Sequence, residues 1–529
     1  MTRAEAAETV ADLLLAREHD TATSLLFEDR RVSWAEHVRI SRHWAACIDE
    51  MLDDALPRHV GVLLANVPEY SYLLGAAALG GFVVVGLNST RSAPDLAADA
   101  ARTHCQLVFT DSEHVHVVTG AIDVTAVSWQ EDSGRSESLP VRPSASELFM
   151  LVFTSGTSGD PKAVRCTHTK VVTPGKMLAD RFGLGKDDTV YVSMPLFHSN
   201  AIMAGWAVAL AAGANLALRR TFSASGFLPD VRAFGATYAN YVGTPLSYIL
   251  ATPARDDDDD NPLRVVYGNE ATPGAANRFA SRFAVTVVDG FGSSEGGVSI
   301  ARTPDTPPNA LGPLPDAVQI LDAEGNVCPA ARFDDRGGVI NEQDAVGELV
   351  NTSGPGMFCG YYEDERADTE RMRGGMYFSG DLAYRDENGF AYFAGRTSGW
   401  LRVGGENLGA APIERILLRH NAIEAVSVFG VPAPGPGDRV MAAILAPESV
   451  MDGLAEFLAA QPDLAPRAYP QLVRVCTDLP RTASHKVLVR ELQRQRWNTS
   501  DPVYFSPGPD AAFVILTCQA RADLDSSLG

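Results

Sequence analysis

Apolar strand-like runs alternate with helix-like segments over residues 60–111, and this alternation restricts the fold more than any other feature. The segments follow one another as strand, helix, strand, helix and strand: VGVLLA, PEYSYLLGAAALGG, FVVVGL, APDLAADAART and QLVFTD. Such alternation predicts a parallel sheet covered by helices. A second α/β region is predicted between about 185 and 300, with these strands: TVYVSMP, ANLALRR, ATYANYVG, LRVVYG and VTVVDGFG.

The pattern changes after this region. From about 310 to 395, short strand-like runs with Gly and Pro turns predict a β-rich module. A compact α+β segment is predicted after GRTSG (395–399), with IERILLRH as an amphipathic helix. The last thirty or so residues, from RQRWNTSDPVYF onward, have no interpretable pattern.

Composition bounds the class of protein. A chain of 529 residues with 46% hydrophobic residues is long enough for two or more domains. Its net charge of −22 argues against a general nucleic-acid or anionic-membrane surface, so an anionic substrate must meet local cations. The acidic run DDDDD (256–260) is interpreted as a solvated loop rather than a metal site.

Cysteine usage and hydropathy predict a cytoplasmic protein. The seven cysteines are dispersed and never spaced as C-x-x-C, which indicates neither a disulfide framework nor a zinc site. We predict no signal peptide and no transmembrane segment, because the longest apolar stretch, 73–87, is broken by glycine and too short.

The stretch TSGTSGDPK (154–162) follows a purely apolar run and is the first candidate for a binding site. It lacks the Walker spacing, because Lys162 is followed by Ala163. Two glycines, four hydroxyls and a lysine after a strand suit a polyphosphate. A polar turn between a strand and a helix is an equally good interpretation of this stretch alone.

Four later motifs supply parts that suit Mg²⁺ and a nucleotide. GFGSSEGG offers Glu295 as an oxygen ligand for Mg²⁺ and Phe291 for stacking on a base. FSGDLAYRDENG offers Asp381 and GRTSGWLRVGGEN offers Arg396, an acceptor and a donor for ribose hydroxyls. PRTASHK offers Lys486. Each residue alone could be a turn cap or a surface charge, but their joint occurrence in this order is specific.

Over roughly residues 20–495 the chain resembles the acyl-adenylate-forming superfamily of acyl-CoA synthetases, luciferases and peptide-synthetase adenylation domains. TSGTSGDPK is similar to its phosphate loop, GFGSSEG to its aromatic-Gly-x-Thr-Glu motif, YFSGD to its ribose motif and PRTASHK to its C-terminal lysine motif. YGNEATPGAANRF and GGENLGAAPIERIL resemble the fatty-acid-transport-protein and very-long-chain acyl-CoA synthetase branch most.

The resemblance implies an α/β fold with a large N-terminal domain, 1–395, of two α/β lobes plus a β-barrel. A hinge at 396–398 would join it to a small mobile α+β C-terminal domain, 399–529, that includes the C-terminal extension. The implied cofactors and substrates are ATP, Mg²⁺, CoA and a sizeable apolar carboxylic acid, a small molecule that the enzyme would convert into its acyl-CoA thioester. The sequence leaves the oligomeric state open, a homodimer included.

The resemblance also assigns residues. It implies that Lys486, Ser294, Glu295 and His198 are catalytic, with Glu295 the metal ligand. His198 would be the gate residue at the acyl site, although a buried structural histidine is an alternative. The implied cofactor-binding residues are Thr154, Ser155, Gly156, Thr157, Ser158, Gly159, Lys162, Gly268, Phe291, Gly292, Asp381, Arg396, Gly404 and Gly405.

The implied reaction has two steps. A carboxylate attacks the α-phosphate of ATP to form an acyl-adenylate and pyrophosphate, and the CoA thiol then attacks the adenylate after the small domain rotates. Gly404 and Gly405 leave room for a pantetheine arm, although a glycine turn is an alternative. In SNAIMAGWAVALAAG, small residues on one helical face predict either close helix packing or a long apolar channel.

The chain departs from the family pattern at the hinge and near the lysine. Ser398 and Gly399 stand where acids or Lys are frequent, Ser294 replaces a threonine, and His485 replaces the glycine before Lys486. These changes leave two alternatives open: an enzyme that performs mainly the thioester half-reaction on a supplied acyl-adenylate, and a non-catalytic acyl or nucleotide binder. Within the enzymes, an acyl-carrier-protein thiol is the rival acceptor to CoA, although no carrier domain is evident in the sequence.

Overall fold

A computed structural model describes residues 7–126, 142–154, 161–271, 273–334, 339–396, 400–403, 406–433, 437–461, 463–481, 487–509 and 511–526. The chain divides into two compact units. The first contains residues 1–299 and 357–370, and the second contains residues 300–356 and 371–529. The hinge at 396–398 stays a prediction.

The first unit contains most of the helices and both parallel sheets. Its elements are α1 (Val10–Leu15), β1 (Ser24–Phe27), β2 (Arg30–Ser33), α2 (Trp34–Asp49), β3 (His59–Leu63), α3 (Pro68–Gly80), β4 (Val83–Gly86), α4 (Ala93–Arg102), β5 (Cys105–Thr110), β6 (Ile122–Asp123), β7 (Leu148–Thr154), β8 (Lys162–Thr167), α5 (His168–Phe182), β9 (Thr189–Val192), α6 (Ser199–Ala201), α7 (Ala207–Ala212), β10 (Asn215–Leu218), α8 (Phe227–Phe234), β11 (Tyr238–Val242), α9 (Gly243–Leu250), β12 (Val265–Asn269), α10 (Pro273–Phe283) and β13 (Thr286–Gly292).

The predicted strand–helix alternation over 60–111 is confirmed. β3 pairs in parallel with both β4 and β5, and every residue of β3 is buried. Between β3 and β4, α3 begins at Pro68, whose fixed φ suits a first helical turn, and ends at Gly81 with φ 67°. The sheet has the strand order β6-β5-β3-β4-β7-β8.

The five strands predicted between 185 and 300 are also confirmed. They are β9 to β13, and they lie in a larger sheet with the order β13-β12-β11-β9-β10-β1-β2; β14 (Ser299–Ala301) lies beyond β13. From β1 through β10, β9, β11 and β12 to β13, neighbouring strands pair in parallel, whereas the edge strand β2 pairs antiparallel with β1. The carboxyl ends of β11, β12 and β13 therefore meet at one edge, where ligands bind in open α/β sheets.

The stretch TSGTSGDPK joins two antiparallel strands. Thr154 at the end of β7 lies opposite Lys162 at the start of β8. The alternative of a turn between a strand and a helix is therefore wrong, because another strand follows the loop before α5 begins.

The helical run after His198 is interrupted by a π-helix at Ile202–Trp206. A Cβ added at Gly205 would lie 2.7 Å from Val192 Cγ2. One added at Gly175 of α5 would lie 2.8 Å from the Cβ of Ala207. These short distances agree with close packing rather than with a channel on this face.

The acidic run DDDDD is mostly exposed, as predicted, but one of its residues is structural. Asp258 is 3% exposed and accepts a hydrogen bond from Arg282 Nε at 2.6 Å. Asp257 pairs with Arg232 at 3.2 Å. Arginines from two helices thus offset part of the negative charge of this loop.

The second unit is built mainly from antiparallel strands. Its elements are β15 (Gly312–Pro313), β16 (Val318–Leu321), α11 (Glu342–Ala345), β17 (Gly347–Asn351), β18 (Met372–Arg373), β19 (Met376–Arg385), β20 (Phe390–Arg396), β21 (Trp400–Val403), β22 (Glu406–Gly409), α13 (Ala410–Leu417), β23 (Ala425–Pro432), β24 (Asp438–Leu445), α14 (Met451–Ala459), β25 (Leu472–Cys476), α15 (Val489–Gln495), β26 (Val503–Phe505), β27 (Val514–Ile515) and α16 (Cys518–Ser526); α12 (Glu365–Arg371) lies where the chain re-enters this unit.

The β-rich module predicted from 310 to 395 is a six-stranded antiparallel sheet with the order β15-β20-β19-β17-β16, and β18 pairs with β19. The following α+β segment has a five-stranded sheet, β23 to β27 in sequence order. The extension left without interpretation supplies its last two strands. α16 is fixed to the segment after α15, because Trp497 Nε1 donates to Asp525 at 3.1 Å.

Among the described residues, every helix is too short or too polar to cross a bilayer.

Candidate functional site

The carboxyl edge of β11, β12 and β13 carries a connected set of asparagine amides. Asn240 Nδ2 donates to Asn200 Oδ1 at 2.7 Å, and Asn200 Nδ2 donates to Asn269 Oδ1 at 3.2 Å. Asn269 Nδ2 in turn donates to the carbonyl of Gly290 at 3.0 Å. The chain of amides links the helical run after His198 to the start of the motif GFGSSEGG.

Ser294 is hydrogen-bonded to Ser199, the residue that follows His198. Its hydroxyl lies 2.7 Å from Ser199 Oγ, and either atom can donate. His198 directly precedes α6 and packs on Phe197, with ring centroids 4.5 Å apart. The structure therefore places two of the predicted catalytic residues at one place in the first unit.

Glu295 is held at both its side chain and its backbone. The carboxylate is 8% exposed and Oε1 accepts a hydrogen bond from the hydroxyl of Tyr361 at 3.0 Å. The backbone carbonyl of Glu295 accepts from Lys170 Nζ at 2.8 Å. Lys170 is itself 2% exposed, and it also donates to the carbonyl of Arg165 at 3.3 Å.

Lys162 lies close to the same tyrosine. Its Nζ is 5.2 Å from the centre of the Tyr361 ring and 3.6 Å from Glu370 Oε2. The Thr154 hydroxyl donates to the carbonyl of Lys162 at 3.5 Å, across the base of the loop. One side chain, Tyr361, thus contacts both the lysine of the predicted phosphate loop and the predicted metal ligand.

The glycines of this edge allow the strands to approach closely. A Cβ at Gly268 would lie 2.2 Å from the carbonyl oxygen of Tyr241 on β11, so only glycine fits in β12 at this position. A Cβ at Gly290 would lie 2.7 Å from the Tyr267 hydroxyl. Burial raises the pKa of this hydroxyl above its usual range. Gly292 is exposed and Phe291 is half-buried. A half-buried ring keeps part of its surface available for stacking.

In the second unit, Asp381 and Arg396 form an ion pair. They lie opposite each other on β19 and β20, and Arg396 Nε is 3.1 Å from Asp381 Oδ1. The aspartate is 7% exposed, whereas half of the arginine side chain is exposed. The structure therefore brings the two predicted ribose-binding residues into direct contact.

Eight predicted site residues lie outside the described residues. They are Ser155, Gly156, Thr157, Ser158, Gly159, Gly404, Gly405 and Lys486. The described residues that flank them are paired: Val403 lies opposite Glu406, and Arg481 bridges to Val487.

Sequence reasoning missed Tyr361 and Lys170. Tyr361 stands in GYYEDER, and Lys170 stands in a helix directly after β8. A buried lysine was detectable from its place in the apolar pattern THTKVV, but its partner, the carbonyl of a residue far along the chain, has no local signal.

Comparison with known proteins identifies the family. Residues 15–362 match the family described as AMP-binding enzyme, and residues 412–486 match the AMP-binding enzyme C-terminal domain. The medium/long-chain-fatty-acid–CoA ligase FadD17 of Mycobacterium marinum is 52% identical over 94% of this chain and 98% of its own length. The steroid-22-oyl-CoA synthetase of Rhodococcus jostii is 44% identical over 94% of this chain and 92% of its own length.

Solved structures share the fold. The anthranilate CoA ligase AuaEII in complex with anthranoyl-AMP superposes with a TM-score of 0.79 at 18% identity, covering 92% of this chain and 96% of its own. The o-succinylbenzoate CoA synthetase of Bacillus subtilis, in complex with its acyl-adenylate intermediate, superposes with a TM-score of 0.75 at 24% identity, covering 91% and 97%.

Proposed function

Because this chain belongs to the AMP-binding enzyme family and is an AMP-forming acyl-CoA ligase, we propose that its acid substrate is an apolar medium- or long-chain fatty acid. The observation that carries the proposal is the 52% identity to a fatty-acid–CoA ligase over 94% of the chain. A steroid side-chain acid is the second candidate, since a synthetase for such an acid is 44% identical over the same share of the chain.

The first half-reaction joins the acid to AMP. A carboxylate oxygen of the acid attacks the α-phosphorus of ATP, the bond from this phosphorus to the β-phosphate oxygen breaks, and pyrophosphate leaves. Negative charge grows on the phosphates during this step, so cations and hydrogen-bond donors in the site lower its barrier. Lys486, Lys162 and the donors of the 155–160 loop are proposed to supply them.

Glu295 is proposed to hold Mg²⁺ together with the phosphates of ATP. Mg²⁺ is usually bound by one or two carboxylates plus substrate phosphates, and a carboxylate oriented by a tyrosine donor fits that use. Bound there, the metal would neutralise charge on the phosphate oxygens. Among the described residues, no group of three or more His, Cys, Asp or Glu side chains could hold a metal.

Asp381 and Arg396 are proposed to bind the ribose. Their ion pair orients the Asp381 carboxylate, which can accept from two neighbouring hydroxyls, and the half-exposed arginine can donate. Phe291, Gly292 and Gly268 are proposed to line the adenine side of the site. His198 and Ser294 are proposed to face the acid, because their elements are joined through Ser199.

The second half-reaction transfers the acyl group to CoA. The thiolate of CoA attacks the acyl carbon of the adenylate, the bond between this carbon and the phosphate oxygen breaks, and AMP leaves. Residues 396–398 are proposed as the hinge that withdraws Lys486 before this step. Gly404 and Gly405 are proposed to line the passage for the pantetheine arm. ATP and CoA as substrates agree with the cytoplasmic location predicted from the cysteines.

One experiment separates the candidate functions. The protein is mixed with Mg²⁺-ATP and CoA and a panel of medium-chain, long-chain and steroid side-chain acids, and pyrophosphate and acyl-CoA are measured. We expect both products with the fatty acids. Turnover with steroid acids alone would replace the first candidate by the second.

Two controls address the remaining alternatives. Thioester formed only from a supplied acyl-adenylate would identify an enzyme of the second half-reaction, and binding without either product would identify a binder. Transfer to a carrier-protein thiol in preference to CoA would change the acceptor.

A further inference from the structure

We propose that Tyr361 and Lys170 are positioning residues that fix Glu295 as a metal ligand, one through its carboxylate and the other through its backbone carbonyl. This inference rests on the proposed function, in which Glu295 binds Mg²⁺. It assigns a role to two residues that no motif in the sequence indicated.

Tyr361 orients the carboxylate. Its hydroxyl donates to Glu295 Oε1 at 3.0 Å, and both side chains are more than nine-tenths buried. A buried carboxylate with a fixed donor on one oxygen keeps a single rotamer, so its second oxygen points in a defined direction. Residues that hydrogen-bond metal ligands in this way set the direction and basicity of the ligand.

Tyr361 is itself held from several sides. Its backbone N–H donates to Asp368 Oδ1 at 2.7 Å, and it bridges to Val164 of β8. Its ring packs edge-on against Phe358, with centroids 5.3 Å apart. A side chain so constrained cannot turn away, and it transmits the position of β8 to Glu295.

Lys170 fixes the backbone of the same residue. Its buried ammonium donates to the carbonyls of Glu295, at 2.8 Å, and Arg165, at 3.3 Å. A buried charged group is strongly destabilising unless it is well hydrogen-bonded, so these bonds are costly to break. Those two bonds therefore make the loop after β13 hard to displace from the end of β8.

The tyrosine also lies between the proposed metal ligand and Lys162. Lys162 follows the 155–160 loop and its ammonium lies over the Tyr361 ring, 5.2 Å from the centre. A cation over an aromatic face is attracted by the electron density of the ring. The hydroxyl and the face of one side chain thus set the distance between a proposed metal ligand and a proposed phosphate-binding lysine.

The test compares Tyr361→Phe, which keeps the ring and loses the hydroxyl, with Tyr362→Phe as the matched control. Tyr362 is next in sequence and half-buried, and its ring contacts His59 instead. Three quantities are measured: the Mg²⁺ concentration for half-maximal pyrophosphate release at saturating ATP, Mn²⁺ binding by paramagnetic resonance with a non-hydrolysable ATP analogue, and the thioester rate from preformed acyl-adenylate.

We expect Tyr361→Phe to raise the half-maximal Mg²⁺ concentration and the Kd for Mn²⁺ about tenfold, which is in the range usual for residues that support metal ligands. The thioester rate should stay nearly unchanged. Lys170→Met should raise both metal concentrations as well, because the Glu295 carbonyl loses its donor. Unchanged metal concentrations in Tyr361→Phe, or an equal rise in Tyr362→Phe, would overturn the proposal.

Failure of the proposed function and failure of the positioning role would give different results. If the wild-type protein releases no pyrophosphate with any acid, the proposed function fails, while the Mn²⁺ titration still decides whether Tyr361 positions the metal ligand. If the wild-type protein turns over and the variant binds Mn²⁺ equally well, only the positioning role is wrong.

Discussion

The polar groups of the two units are assembled over very different distances along the chain. In the second unit, Asp381 and Arg396 lie opposite each other on neighbouring antiparallel strands joined by a turn. In the first unit, Glu295 meets Tyr361 across 66 residues of sequence and Lys170 across 125 residues. Antiparallel neighbours joined by a turn give local pairs, whereas Glu295, in the loop after β13, is met by a residue of helix α5 and by a residue that bridges to β8.

This contrast implies a division of work. Glu295 and Lys162 of the first unit are proposed to meet the metal and the phosphates, and Lys486 of the second unit is proposed to meet the phosphates as well. The Asp381–Arg396 pair is proposed to meet the neutral ribose, so substitutions in this pair should change different kinetic constants from substitutions in the other three residues. The following predictions test that difference.

The largest effect is expected from Lys486→Ala, which removes a cation proposed to act only in the first half-reaction. Pyrophosphate release should fall about 1,000-fold, as when a charge-stabilising donor is removed, while thioester formation from preformed acyl-adenylate should persist. Arg490→Ala, on the exposed face of α15, is the control. Equal losses in the two half-reactions would contradict the assignment of Lys486 to one step.

Glu295→Gln should produce the next largest effect. The amide can still accept from Tyr361 but no longer carries the charge that a metal requires, so kcat for pyrophosphate release should fall about 100-fold. Initial rates over a range of Mg²⁺ concentrations check this. A variant with the wild-type Mg²⁺ dependence would exclude Glu295 as the ligand.

Asp381→Asn should act mainly on nucleotide binding. Replacing a charged acceptor weakens hydrogen bonds to the ribose hydroxyls by roughly 1.5 kcal/mol, so the KM for ATP should rise about tenfold with a smaller change in kcat. Glu387→Gln, exposed in the turn between the same strands, is the control. If Asp381→Asn lowered kcat as strongly as Glu295→Gln, the proposed division between ribose binding and metal binding would be lost.

What could be predicted from the sequence follows the same contrast between local and distant contacts. The strands β3 to β5 and β9 to β13 were predictable because a buried parallel strand is a continuous apolar run between turn signals. Asp381 and Arg396 were predictable as partners of one ligand because their motifs are specific, although their ion pair was not foreseen.

The contacts of Glu295 could not be predicted, because nothing local in GYYEDER or THTKVV indicates a partner more than 60 residues away. The extension after residue 494 was also missed, since β27 has only two residues, both exposed, and lacks the alternation of a half-buried strand. Its place is set by pairing with β26.

The smallest effect concerns pH, where two buried groups, one in each unit, contribute with opposite signs. Burial lowers the pKa of His37 in the first unit to about 3, so the folded state binds fewer protons than the unfolded chain between about pH 3 and 6.5 and loses stability as pH falls. Burial raises the pKa of Glu414 in the second unit from 4.5 to about 7, so the folded state binds more protons than the unfolded chain between these pH values, and stability falls as pH rises through this range.

Glu414→Gln tests the second half of this statement. The amide keeps an acceptor for the Val428 N–H, which Glu414 Oε1 accepts at 2.8 Å, and removes the titration. Between about pH 5 and 8 the variant should lose less stability than the wild type, by roughly 1 kcal/mol in the free energy of unfolding. Thermal unfolding at several pH values should show this as a smaller fall in Tm. Glu424→Gln, at an exposed position, should leave the pH dependence of Tm as in the wild type. A fall in the Tm of Glu414→Gln as steep as that of the wild type would refute the prediction.

The most direct test of the central claim is acid-dependent exchange of labelled pyrophosphate into ATP without CoA. A two-step ligase forms the acyl-adenylate before CoA binds, so we predict exchange with Mg²⁺-ATP and a fatty acid alone, followed by stoichiometric AMP and acyl-CoA when CoA is added. Exchange that requires CoA, or acyl-CoA formed without any exchange, would contradict the account.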